Sequence, residues 1–230
     1  MNVAKVFLDT NVLKFAATEL PRLRPRKQSL DWGGKTIEVI VHDFVEVNPN
    51  ELIENPTLKT EVELLPRLAA IGKLGELKYV MNSETIEESW GLRNMDSKNG
   101  RFYGVPIEVV KAPFEYARIM AGGGVKPKER QFRFLASIRH ERFLELQKMT
   151  GAYQGEQKLN RNQLLDAFHI WCAEHNGCEF LLTLDFKLIK VLSLSPTKST
   201  VRVVRPSELL AWLERLDWSV KNGSGLFTAK

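Results

Sequence analysis

Residues 4–15, AKVFLDTNVLKF, decide the fold. An apolar run stops at Asp9, Thr10 and Asn11, and apolar side chains then resume at helical spacing, which predicts a short buried strand, a polar turn and the start of a helix. The same pattern returns twice. ELKYVMN (76–82) reads as a buried strand and SETIEESWGL (83–92) as the helix behind it, with Ser83 as its N-cap. NRNQLLDAFHIWCAEHN (160–176) reads as a helix capped by Asn160 and ended by Gly177, followed by the strand CEFLLTLD (178–185) and the short helix FKLIKVL. TVRVVR and PSELLAWLERL complete the alternation as a strand and a helix with Pro206 in its first turn. Strands alternating with helices predict an α/β fold of three layers, α/β/α, around a mostly parallel central sheet. Ligands in such folds sit outside the carboxyl ends of the strands.

Between these units lie stretches of a different character. Residues 21–36 read as a basic loop punctuated by prolines and Gly33-Gly34, and TIEVIVHDFVEV (36–47) as an extended segment. Residues 57–75 have helical spacing with a break near Pro66. The reading is weakest from 91 to 124, an irregular region ending in the break AGGG. KPKERQFRFLASIRHERFLELQKM (126–149) reads as one long helix with Phe134, Ile138 and Phe143 available for packing. The expected organisation is a single domain over 1–220, with partly helical insertions at about 21–56 and 93–158 and a frayed tail at 221–230.

Composition sets outer bounds. The chain has 230 residues, 43% of them hydrophobic, enough to bury a full core. No uncharged apolar run approaches the ~18 residues of a membrane span, and the first residues show no signal-peptide pattern. A cytoplasmic protein without a membrane partner is expected. Two cysteines, Cys172 and Cys178, are too few for a disulfide framework. With His169 and His175 they recur every three residues, but such steps fan across half a helix instead of converging on one ion.

Asp9 and Asp185 each close a predicted strand, so in a parallel sheet both emerge on one rim. Glu88, its neighbour Glu87, and Asp166 lie in helices able to face that rim. Carboxylates gathered in one place repel one another, and a divalent cation relieves the repulsion. Hard oxygen donors suit Mg²⁺ or Mn²⁺, one or two ions, and phosphodiester hydrolysis uses such an arrangement to activate water and steady the leaving oxygen.

These stretches resemble the PIN-domain ribonuclease family. VFLDTNVL is similar to its opening strand and turn, NSETIEESW to its second motif, and LLDAFHIWCAEHNGCEFLLTLD to its third and fourth together. The resemblance implies that Asp9, Glu88, Asp166 and Asp185 are the catalytic and metal-binding acids, with Glu84 and Glu87 as alternatives to Glu88. It also implies that Asn11 and Thr183 support them. The expected function is a metal-dependent endoribonuclease cutting single-stranded RNA, with a toxin-antitoxin role as found among small bacterial members. The alternative is a PIN-fold module that binds RNA or protein without cutting. Compact members are shorter than this chain, and the excess falls in the two insertions; the long one at 93–158 could hold RNA, an antitoxin or a second copy of the chain, and the expected partners also include another protein.

Basic residues cluster in those insertions. Residues 21–36 hold Arg22, Arg24, Arg26, Lys27 and Lys35 against Asp31, and 126–148 hold seven basic residues, among them Lys128, Arg130 and Arg133, against three glutamates. Lys and Arg neutralise phosphates, and aromatic faces stack unpaired bases. Arg24, Arg26, Lys27, Lys128, Arg130 and Arg133 are therefore the candidate nucleic-acid contacts, with Trp32, Phe132 and Phe134 nearby. An aspartyl-phosphate phosphatase would want an acid at residue 11, where this chain has Asn. The AGGG segment lacks the ending of a phosphate-binding loop.

Overall fold

The computed structural model describes residues 3–17, 20–89, 100–117, 125–152 and 159–223. The chain runs through β1 (Ala4–Leu8), α1 (Thr10–Ala16), β2 (Leu20–Trp32), β3 (Lys35–Val47), a 3-10 turn at Pro49–Leu52, α2 (Pro56–Glu63) and α3 (Leu65–Lys73). It continues with β4 (Leu77–Met81), α4 (Ser83–Ser89), β5 (Ile107–Val109), α5 (Val125–Ser137) and α6 (Glu141–Met149). The last elements are α7 (Arg161–His175), β6 (Phe180–Leu182), α8 (Phe186–Leu194), β7 (Arg202–Val204) and α9 (Pro206–Gly223).

Five strands form one parallel sheet in the order β5-β4-β1-β6-β7. The chain fills one side of β1 first and the other side later, so β1 is the switch point and the cleft opens beside its carboxyl end. Alternation along β1 sends Val6 and Leu8 to one face and Phe7 to the other. The first face packs with Tyr79, Phe180 and Leu182 against α1, α2, α3 and α9. The second packs with Val80 and Leu181 against α5, α6 and α7, where Phe143, Phe168 and Trp171 form an aromatic cluster. Each fully buried large side chain contributes about 1.5–3 kcal/mol. Burial on both faces is why the central strands read as unbroken apolar runs. The three-layer α/β/α expectation is met.

Helix ends follow local chemistry. The Asn160 side chain accepts from the Asn162 backbone N–H at 2.9 Å and caps α7, and Gly177, at φ +63°, turns the chain out of that helix. α4 is capped by Asn82, not by Ser83: Asn82 Oδ1 accepts the Thr85 backbone N–H at 2.8 Å. The break near Pro66 falls at Leu64, between α2 and α3.

Three further readings are corrected. Residues 21–36 are not a loop. They form β2 and the turn into β3, paired antiparallel over 13 residues of each strand, and the turn residues Gly33 and Gly34 both have positive φ, which suits a two-residue type I′ turn. Residues 126–149 are two helices, because His140 leaves the helical conformation and its ring nitrogen accepts the Arg142 backbone N–H at 3.2 Å, capping α6. The last helix runs through Gly223, beyond the expected start of the tail at 221. The AGGG segment and residues 224–230 lie outside the described residues. No described helix is long and apolar enough to cross a membrane.

Candidate functional site

Asp9 leaves the end of β1, and its backbone N–H still pairs with the Leu182 carbonyl of β6 at 3.1 Å. The carboxylate is buried, 6% exposed. Its Oδ2 accepts from Asn11 Nδ2 at 2.7 Å and from the Thr183 hydroxyl at 2.6 Å. Asn11 is locked in turn, since its Oδ1 accepts the Leu184 backbone N–H at 2.9 Å. Asn11 and Thr183 thus fix the position of Asp9 through Oδ2, and its Oδ1 lies 3.7 Å from the Nδ1 of His169.

Asp185 sits past the end of β6, on the same rim. Its Oδ1 caps α8 by accepting the backbone N–H groups of Lys187 and Leu188 at 2.8 and 3.0 Å. Thr183 joins the two acids: while donating to Asp9, its hydroxyl oxygen accepts the Asp185 backbone N–H at 3.0 Å.

α7 runs against the strand direction, so its first turns lie at this rim and its dipole favours negative charge there. Asp166 lies in its second turn. The Asp166 carboxyl is held well above the usual carboxylate range, first by desolvation and then by the charges of Asp9, Asp185 and Glu88, with His169 acting in the opposite direction. The charges of Asp9 at the end of β1, Glu88 on α4 and Asp185 past the end of β6 therefore all reach Asp166 on α7.

α4 carries three glutamates, and the structure separates them. Glu88 accepts from Thr10 Oγ1 at 2.7 Å and from the Arg161 guanidinium at 3.0 Å, so it faces the Asp9 turn and the start of α7. Glu84 is fully buried and accepts from the Tyr116 hydroxyl at 2.9 Å and from Gln131 Nε2 at 2.8 Å. Glu87 also accepts from Gln131, at 3.3 Å. Arg161 donates to the Gln131 side-chain carbonyl as well, so Gln131 of α5 ties α4 to α7.

Several of these partners carry little sequence signal. Arg161 has one: a cation in the first turn of a helix opposes the dipole and calls for an acid nearby. Gln131 is one polar residue of an amphipathic helix, and nothing local sets it apart. His169 points its Nδ1 at Asp9 Oδ1 across 3.7 Å, an ionic contact longer than a hydrogen bond, while Thr85 Oγ1 lies 3.4 Å from Nε2. Burial lowers the imidazole pKa, but Asp9, Glu88 and Asp166 outweigh it and leave the value raised. His169 thus belongs to the acidic pocket and not to a zinc site. Cys172 and Cys178 are free, buried thiols, raised to about 12 and about 11 by desolvation.

The donor set is chemically apt for a hard cation, being carboxylate oxygens in a half-buried pocket. Among the described residues no group of three or more His, Cys, Asp or Glu side chains is placed to hold a metal ion. One or two direct carboxylates, with water completing the shell, is the usual manner of Mg²⁺. The mutual repulsion at Asp166 is what such an ion would relieve.

The candidate nucleic-acid contacts, on the β2–β3 hairpin and on α5, are partly neutralised. Arg26 pairs with Asp43 at 2.7 Å, Lys27 with Glu38 at 3.6 Å, and Arg133 with Glu129 at 2.5 Å. Arg24, Lys128 and Arg130 are exposed. Because Glu38, Asp43 and Glu46 lie on β3, the excess charge of the whole β2–β3 hairpin is only +1. Phe134 packs against Tyr116, with ring centroids 4.6 Å apart, and Phe132 lies against the same core. Trp32 is exposed at the hairpin tip. Comparison of the chain with protein-family models, curated proteins and solved structures gives no match.

Proposed function

We propose that this chain is a Mg²⁺- or Mn²⁺-dependent endoribonuclease of the PIN type, acting on single-stranded RNA. One observation carries the reading: the Thr183 hydroxyl donates to Asp9 Oδ2 at 2.6 Å and accepts the Asp185 backbone N–H at 3.0 Å, so two acids are held together at the sheet rim, where desolvation and their charges, with that of Glu88, raise the Asp166 carboxyl. Such a concentration of like charge is destabilising, and it persists in folds where a cation or a reaction makes use of it. Substrate class and the PIN assignment rest on the resemblance of the motifs around these acids, as does a toxin's role.

In this mechanism one or two of Asp9, Asp166 and Asp185 would hold the cation directly, and the remaining acids, Glu88 among them, would act through its water shell. When bound, the ion supplies Lewis acidity that lowers the pKa of an attacking water and balances charge on the phosphate. The protein's own part is positional. Thr183 and Asn11 hold Asp9 by one oxygen, the α8 cap holds Asp185, and the rigid ends of β1 and β6 set their spacing.

A specific observation favours a second reading, a PIN-fold module that binds RNA without cutting. Both oxygens of Glu88 are engaged, one by Thr10 and one by Arg161, so it must release a partner to become a direct ligand. Incubation of the purified chain with end-labelled single-stranded RNA separates the two. Cleavage that needs Mn²⁺, stops with EDTA and is lost in Asp9→Asn supports the nuclease. Retention of RNA binding without any cleavage supports the module, and cleavage surviving both treatments overturns the metal mechanism.

A further inference from the structure

We propose that the β2–β3 hairpin is an arm for self-association, in which the outer edge of β3 pairs antiparallel with β3 of a second copy across a two-fold axis. A two-stranded ribbon with 13 residues per strand extends about 40 Å. Alone in water such a ribbon is marginal at best. This one leaves large apolar side chains in solvent on both faces: Leu23, Ile40 and Phe44 on one, Leu30, Trp32 and Ile37 on the other, with Ile40 66% and Phe44 70% exposed.

The two outer edges differ in what they can accept. Trp32 and Lys35 flank the two-residue turn and form its hydrogen-bonded closing pair, so pairs alternate from there. Odd-numbered residues of β2 and even-numbered residues of β3 then point their N–H and C=O groups outward. Pro21 and Pro25 fall on outward positions of β2, where each removes a donor and blunts that edge. The outward positions of β3 are Thr36, Glu38, Ile40, His42, Phe44 and Glu46, whose backbone N–H groups have no backbone partner among the described residues, in a strand rich in Val and Ile. The open edge is therefore β3.

A two-fold pairing must match outward residues with outward residues, which leaves few registers, and charge selects among them. With Val39 on the axis, Lys35 faces Asp43 of the second copy, Ile37 faces Val41, and Val39 faces itself. Asp43 already accepts from Arg26, so Lys35 of the second copy completes a row of alternating charge. One neighbouring register sets Glu38 against its own copy. The other sets Asp43 opposite Ile37 and offers Glu38 only His42. The favoured register closes on itself as an isologous contact and yields a four-stranded sheet whose two edges are the proline-bearing β2 strands.

The test uses the full chain. Light scattering after gel filtration at micromolar concentration is expected to give a dimer. Ile40→Pro removes an outward N–H without breaking a β2–β3 hydrogen bond, and is expected to weaken the dimer at least tenfold while the melting temperature holds. Val39→Cys is expected to form a disulfide-linked dimer on mild oxidation and Val41→Cys is not, the native thiols being buried; this pair keeps the test informative even if proline disturbs the hairpin. A wild-type chain that stays monomeric, with or without RNA bound to the hairpin, overturns the proposal. So does a dimer indifferent to Ile40→Pro that links equally through either cysteine.

Discussion

The Thr183 hydroxyl donates to Asp9 Oδ2 at 2.6 Å while its oxygen accepts the Asp185 backbone N–H at 3.0 Å, so one side chain sets the spacing between the acids that follow β1 and β6. Replacing it with Val preserves shape and removes both bonds. A lost hydrogen bond to a buried charged group costs about 1–3 kcal/mol. Thr183→Val is expected to melt several degrees lower in thermal denaturation. Under the proposed nuclease function, Mn²⁺-dependent RNA cleavage should fall about 10–100-fold, the usual loss when a residue supporting a metal ligand is removed. Unchanged cleavage would deny Thr183 any positioning role.

Asp166 should limit the stability of the metal-free chain. Its folded-state pKa is raised above the ordinary 3.8, so its ionised form opposes folding at any pH above the folded value. Below 3.8 the carboxyl is protonated in both states and the penalty vanishes. Asp166→Asn in EDTA is therefore expected to melt higher than wild type at neutral pH, to lose that advantage as pH falls toward 3.8, and to be inactive. A variant no more stable than wild type at pH 7 would mean that neither burial of the Asp166 carboxylate nor the like charges around it cost the fold stability.

Glu174 has the opposite sign. Arg142 grips it with two nitrogens, at 2.9 and 2.6 Å, and Ser199 donates to it at 2.7 Å, joining α6, α7 and the loop before β7. Burial raises its pKa, but these bonds prevail and leave it below the ordinary 4.5. Its stabilisation is complete above 4.5 and is lost as pH falls through the depressed folded value. Urea titrations of Glu174→Gln should show a deficit of about 1–3 kcal/mol at pH 7, closing with acidification. A deficit independent of pH would place the effect in packing.

Gly72 in α3 faces the ring of Tyr79, and a Cβ there would run into the ring's Cε2 edge. Tyr79 cannot step aside, because it is fully buried and its hydroxyl donates to the Leu68 carbonyl at 2.9 Å. Alanine gains about 1 kcal/mol in helix propensity, while overpacking costs about 1–3 kcal/mol. With the ring fixed, the second effect should win, and Gly72→Ala is expected to lose about 1–2 kcal/mol in chemical denaturation. An increase in stability would show that the ring yields.

The layered sheet and the rim positions of Asp9 and Asp185 were legible because both depend on local pattern: an apolar run burying both faces, then an acid at the turn. The choice among Glu84, Glu87 and Glu88 was not. Residues 84 and 88 are four apart on one helix and periodicity cannot separate them, whereas Tyr116 and Gln131, distant in the chain, do. The β2–β3 hairpin was half visible. β3 alternates openly, but Pro21 and Pro25 made β2 look like a loop, although both fall where a missing N–H leaves the ladder intact. The division between α5 and α6 turns on one imidazole accepting one N–H, with no Gly or Pro to announce it.

Arg161 reaches both Gln131 on α5 and Glu88 on α4, so a helix far along the chain braces an acid attached near its beginning. Excising residues 93–158, which include α5, would remove Gln131 from that brace and leave Arg161 to hold Glu88 alone. Part of the surplus length is thereby scaffolding for the acids themselves, and a miniaturised version would need to rebuild the buttress before any chemistry could be asked of it.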